Sequence, residues 1–109
     1  MPRRAARRLA TTRPAPVLLP PPRCGLCERE VQSTSRHHLI PREEGGRHGP
    51  VVELCQPCHS SVHRFLSNRD LARRYPSIEA LREAEELRTY LHWIRRQRVE
   101  RIRNRRGRE

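Results

Sequence analysis

Four cysteines and four histidines in this chain are spaced for metal chemistry. The cysteines form two pairs, Cys24-Gly-Leu-Cys27 and Cys55-Gln-Pro-Cys58, with 27 residues between them. Each short C-x-x-C knuckle turns two thiolates toward one point, and Gly25 and Pro57 suit such turns. Two pairs together predict one tetrahedral structural Zn²⁺ on Cys24, Cys27, Cys55 and Cys58. Two disulfides would require an exported protein, and no export signal is legible. A thioredoxin-like dithiol would account for one pair and leave the other without a purpose. With so little apolar material nearby, bound zinc should contribute folding free energy directly.

The histidines lie between and beside these pairs, in Arg36-His37-His38-Leu39-Ile40-Pro41 and in Cys58-His59-Ser60-Ser61-Val62-His63-Arg64. If the second stretch is helical, His59 and His63 fall at i and i+4 and project from one face, where two imidazoles can hold one divalent ion. His37 and His38 are neighbours, and on an extended segment they point to opposite sides. One can complete a metal site while the other addresses a reactant. An imidazole beside a metal but not bound to it suits general-base work near neutral pH. The alternative is that one or more of these rings joins the zinc in a mixed Cys/His site. The thiolate set is already complete, which favours a second, separate ion.

These residues need elements to hold them. Ser33–Ile40 has strand-type content, and Val51-Val52-Glu53-Leu54 is a second short strand. Pro41–Pro50, with Glu43, Glu44, Gly45, Gly46 and Gly49, reads as a loop. From Pro57 to about Leu66 the chain reads as a helix, with proline tolerated in its first turn. Leu66–Tyr75 reads as continued helix or helical turn ending before Pro76. Ser77 can cap a further helix whose stripe is Ile78, Leu81, Ala84, Leu87, Leu91 and Ile94. That stripe should pack on the small centre, with Tyr90 and Trp93 widening the contact. The expected class is therefore α+β, a small unit stapled by the cysteines and followed by C-terminal helices.

The chain has 109 residues and a formal net charge of +12, with 24 basic residues, all of them Arg, against 12 acids. Hydrophobic residues make up 34%. One small domain fits this length, and no apolar run approaches the roughly 20 residues that span a bilayer, so no membrane partner is expected. Residues 1–23 carry six Arg and no acid, and residues 88–109 carry nine Arg against Glu100 and Glu109. Between them nine Arg face nine Glu and Asp70, a net of −1. The charge excess lies at the ends; the cysteines and five of the six histidines lie in the middle. Residues 1–22 read as a disordered Arg/Pro-rich arm, although an organellar transit peptide shares that composition. Residues 23–97 read as the domain and 98–109 as a basic tail. The tail suits phosphate contact, or is simply solvated. His48 and His92 read as loop and helix-surface residues. The charge points to a polyanionic partner, most simply DNA, in a cytoplasmic setting, bacterial or phage-encoded.

In combination, CGLC, RHHLIP and LCQPCHSSVH resemble the HNH endonuclease family. The resemblance runs from Cys24 to about Leu66 and implies a ββα-metal unit with a four-cysteine zinc knuckle. Position by position, it implies His38 as general base, with His37, His59 and His63 holding a catalytic divalent ion, Mg²⁺ or another. The family's middle Asn should fall near Pro50, and none is present; Pro50 itself or His48 could hold the loop instead. The implied activity is metal-dependent hydrolysis of DNA phosphodiester bonds, as endonuclease or nickase, leaving a 3′ hydroxyl and a 5′ phosphate. Arg36 and Arg64, beside the histidines in sequence, suit phosphate contact or plain solvation. The alternative is a zinc-stapled nucleic-acid-binding module without catalysis, motivated by the charge and the missing Asn. Protein partners are not specified by any residue.

Overall fold

The computed structural model describes residues 19–103, so most of the expected arm and the last residues of the tail lie outside the described residues. The protein is a small α+β unit. Among the described residues it has one two-stranded antiparallel sheet and four α-helices. Strand β1 (Ser35–His38) pairs with β2 (Val51–Leu54) in the register Ser35↔Leu54, Arg36↔Glu53, His37↔Val52 and His38↔Val51. The opposed Arg36 and Glu53 suit their cross-strand positions. Both strands lie where the sequence places them.

The connection between the strands is long for a hairpin, and it is tied down at several points. Leu39 N donates to Pro50 O at 3.1 Å, and Gly46 N donates to Pro41 O at 3.0 Å. A short 3₁₀ turn, Arg42–Glu44, ends on Gly45 at φ 96°, a left-handed conformation that glycine adopts without strain. The expected loop is thus partly regular.

Helix α1 (Gln56–Phe65) begins directly after β2, with Pro57 in its first turn. It does not run on to Tyr75. Leu66 is extended, and Ser67 Oγ accepts from Asp70 N at 3.1 Å, starting α2 (Asn68–Arg73). A serine cap followed by an acid in the first turn outweighs continuation of the preceding helix.

The single helix expected after Ser77 is also divided. Ser77 caps α3 (Ile78–Arg82) as expected, its Oγ accepting from Ala80 N at 3.1 Å. The chain then leaves the helix at Ala84 (φ −63°, ψ 126°), makes a 3₁₀ turn over Glu85–Leu87, and resumes as α4 (Arg88–Ile94). The reason lies in the spacing. Ile78, Leu81, Ala84 and Leu87 recur every three residues, so on one straight helix Ile78 and Leu87 would face opposite sides. Breaking at Ala84 lets Leu81, Ala84, Leu87, Leu91 and Ile94 all be buried in one core.

That core joins Leu26, Val31, Leu54, Val62, Leu66 and Leu71 to the C-terminal leucines, with all four cysteines inside it. Gly25 sits where the first knuckle meets β2. Its N–H donates to Glu53 O at 2.7 Å, and a Cβ there would lie 2.5 Å from Val52 Cγ2. No helix among the described residues is long and apolar enough to cross a membrane.

Candidate metal centres

The two cysteine pairs converge. Their four sulfurs lie within 4.8 Å of one another, and all four residues are buried and free. Cys27 Sγ and Cys55 Sγ are 3.9 Å apart. Two thiolates on one tetrahedral zinc at about 2.3 Å would be separated by about 3.8 Å. The disulfide alternative is thereby set aside, and the cluster suits a structural zinc.

Each sulfur also has a hydrogen-bond donor. Cys24 Sγ accepts from the backbone N–H groups of Leu26 and Cys27, both at 3.4 Å. Arg29 spans the two pairs, donating from Nε to Cys27 Sγ at 3.3 Å and from Nη2 to Cys55 Sγ at 3.6 Å. The Tyr90 hydroxyl donates to Cys58 Sγ at 3.2 Å. Donors aimed at every sulfur suit anionic ligands better than neutral thiols.

The electrostatics agree. Hydrogen bonds from Cys27, and then from Cys55 and Cys58, hold Cys24 far below the ordinary thiol range. Cys58, hydrogen-bonded to Cys24 first of all, is pushed far above it. Left to share protons, the cluster prefers few charges to four; a divalent cation is what allows full ionisation. Partial burial opposes the charge on Arg29, but its bonds to Cys27 and Cys55 outweigh that and keep it firmly protonated.

The second cluster is His37, His59 and His63, whose candidate ligand nitrogens also lie within 4.8 Å. Ring centroids are 5.5 Å apart for His37–His59, 5.2 Å for His37–His63 and 5.1 Å for His59–His63. β1 supplies His37, and one face of α1 supplies the other two. His37 is only 1% exposed, and its Nε2 is buried without a hydrogen-bond partner among the described residues. An orphaned buried nitrogen between two further imidazoles is what an ion-binding site requires. Ser35 Oγ lies 2.6 Å from His59 Nδ1, which commits that nitrogen and leaves Nε2 available. Burial first, and then the neighbouring His63, His59 and His38, pushes His37 down to about 4. Burial also lowers His59, helped by His63, and it lowers His63. All three therefore remain neutral, the form that binds a metal.

His38 borders the same site from the end of β1 and is half-buried. It lines an open cleft of about 610 Å³ with His37, His59 and His63. Although the two histidines are neighbours on a strand, both reach this cleft. Arg36 lines it too, whereas Arg64 lies over the Phe65 ring, 5.5 Å from the centroid. His48 and His92 are exposed, as expected. Sequence reasoning passed over Arg42, Glu43 and Asn68, which complete the cleft wall. Asn68 Nδ2 donates to Glu43 Oε1 at 2.5 Å, tying the loop after His38 to α2. That tie joins residues 25 apart, so no local pattern announces it.

This chain is 40% identical over 79 residues to the "Uncharacterized protein YisB" of Bacillus subtilis (strain 168). The match covers 72% of this chain and 79% of that protein. The chain belongs to the YisB family. No family model matches it, and no solved structure does. YisB carries no activity in its name, so the chemistry of this family member rests on its own residues.

Proposed function

We propose that the protein is a metal-dependent endonuclease or nickase of the HNH type, with β1, β2 and α1 forming a ββα-metal unit. One observation carries the reading: the buried, unpartnered Nε2 of His37 stands among His59 and His63, with a fourth histidine, His38, on the same cleft. Three histidines that hold an ion and one that does not divide the labour a hydrolase needs.

His37, His59 and His63 would hold a divalent ion, which supplies charge stabilisation to a scissile phosphate and its leaving oxygen. Three imidazoles without a carboxylate suit Zn²⁺, Ni²⁺ or Co²⁺ better than Mg²⁺. His38 takes a proton on a ring nitrogen from the attacking water. The peptide link from His38 to Leu39 is steadied by the Leu39–Pro50 hydrogen bond, and the loop beyond it by Asn68 and Glu43. Pro50 and Asn68 together thus offer the loop support for which the family pattern uses an Asn near position 50. Arg36 and Arg42 on the cleft wall are placed to meet neighbouring phosphates.

The test is supercoiled plasmid DNA incubated with Zn²⁺, Ni²⁺, Mn²⁺ or Mg²⁺, with wild type and His38→Ala compared. Loss of a general base lowers the rate by about 10²–10⁴ while metal content stays unchanged. Equal nicking by both proteins overturns the assignment of the base. Salt-sensitive DNA binding without nicks under any ion would leave the non-catalytic, zinc-stapled module in its place.

A further inference from the structure

The C-terminal segment does not leave the domain at the end of α4. Arg29, while bonded to two sulfurs, also donates from Nη1 to Gln97 O at 2.8 Å. Gln32 N donates to Glu100 Oε1 at 3.1 Å. The Gln56 side chain exchanges two hydrogen bonds with Ile102, donating to its carbonyl at 3.1 Å and accepting from its N–H at 2.7 Å. Val99 packs on the core. Residues 97–102 are thus laid across the cysteine end of the domain and fastened at three points.

The docking sorts the side chains. Gln97, Val99, Glu100 and Ile102 are half-buried, whereas Arg95, Arg96, Arg98, Arg101 and Arg103 are exposed. None of these five arginines pairs with a carboxylate among the described residues. Glu100 accepts from Gln32 N and forms no ion pair with them. Five exposed guanidinium groups on a fastened backbone attract a polyanion, and fastening lowers the ordering cost of binding.

The position of the last fastening indicates which polyanion. Gln56, His59 and His63 fall at i, i+3 and i+7 of α1, one stripe of the helix. At 1.5 Å per residue, Gln56 precedes His59 by about 4.5 Å and His63 by about 10 Å along the axis. A DNA strand places one phosphate per about 3.4 Å of duplex axis, so one backbone can reach both strap and cleft. We infer that residues 95–103 form a phosphate-binding strap, which takes the backbone of duplex DNA and leads it to the cleft of His37, His38, His59 and His63. The choice of partner rests on the phosphodiester reading above; the fastening and the charge row do not.

The test measures binding of a short mixed-sequence duplex by fluorescence anisotropy across a series of KCl concentrations. It uses the full chain with zinc at the cysteines and no other divalent ion. The triple variant R98Q/R101Q/R103Q should bind more weakly, with a log K against log[salt] slope shallower by about 2.7 (about 0.9 for each lost contact). The triple Arg→Lys variant should keep most of the slope. Gln56→Ala, with every charge retained, should weaken binding several-fold because the fastening at Ile102, the one nearest the cleft, is lost. An unchanged slope in the triple Gln variant, at wild-type zinc content and circular dichroism, overturns the inference. So does wild-type affinity in Gln56→Ala, and so does equal displacement of the duplex by polyglutamate, which would assign the strap to an acidic protein. Since no cleavage is read, a strap that binds DNA in a chain that never nicks it leaves this inference standing and removes the nuclease reading alone.

Discussion

Tyr90 on α4 donates its hydroxyl to Cys58 Sγ on α1 at 3.2 Å, so the C-terminal helices are joined to the cysteine cluster by a polar bond as well as by the core. Burial, and then the nearby Cys58 charge, pushes the Tyr90 hydroxyl up and keeps it a donor. Tyr90→Phe removes that donor and little volume. Outer-shell losses of this kind cost a metal site about 10-fold in affinity or more. Competition with a chromophoric chelator should show zinc released correspondingly more readily, with the native circular dichroism spectrum unchanged before release. Wild-type retention would mean that the bond adds nothing to the site.

Gly25 offers a purely steric test of the first knuckle. A Cβ at this position would meet Val52 Cγ2 at 2.5 Å and Glu53 O at 3.2 Å. Gly25→Ala must therefore push the Val52 side chain aside and press on the β2 backbone at Glu53, and overpacking of this kind costs about 1–3 kcal/mol. For a domain of this size each kcal/mol lowers the Tm by about 4–8 °C. A thermal melt of the zinc-loaded variant reads the effect, and an unchanged Tm would show that the contact yields without cost.

How much of this was legible in the residues themselves depended on the range of the interaction. The cysteine pairs, β2, the start of α1 and the Ser77 cap are written in local spacing, and each was read from it. His59 and His63 were assigned to one face because the helical period alone puts them there. The meeting of His37 with that pair depends on the β1–β2 register and on how the sheet packs against α1, which no local pattern encodes. The breaks at Leu66 and Ala84 were missed for different reasons. At Leu66, a serine cap begins a new helix in mid-run. At Ala84, a spacing of three resembles a helical stripe but drifts around the helix. Arg29 was invisible as a sulfur partner because an arginine two residues beyond a knuckle looks like any solvated charge. The docking of residues 97–102 could not be read from the basic composition of the tail, because it depends on contacts from three distant residues, Arg29, Gln32 and Gln56.

His37 makes stability depend on pH in a defined direction. In the unfolded chain it takes a proton as the pH falls through about 6.5. In the folded protein burial holds it down to about 4. Between those values the unfolded state binds more protons, so its contribution is complete above about 6.5 and is lost progressively as the pH falls toward 4. The gap corresponds to about 3 kcal/mol. Urea unfolding of zinc-loaded protein, with the second site empty, should show this loss between about pH 7 and about pH 4.5. In His37→Phe that component should vanish, while acid effects on the cysteines remain common to both proteins. Parallel pH profiles for the two proteins would contradict the assignment of His37 as a neutral buried imidazole.

The two clusters should release metal in order. Four buried thiolates, each with a donor, form a closed site, whereas the histidine site borders an open cleft and includes the exposed His63. A structural zinc of the closed kind contributes about 10–16 kcal/mol to folding, and the core around these cysteines is small. A mild chelator should therefore remove one ion per chain from protein loaded with Zn²⁺ or Ni²⁺, leaving the far-UV spectrum and the melting transition in place. A stronger chelator should remove the second ion and unfold the domain in the same step. His63→Ala should abolish the first release and spare the second, because His63 is bonded into neither the core nor the cysteine cluster. Release of both ions together, or survival of the fold after the second, would show that the cysteines and histidines do not form two independent sites of unequal strength.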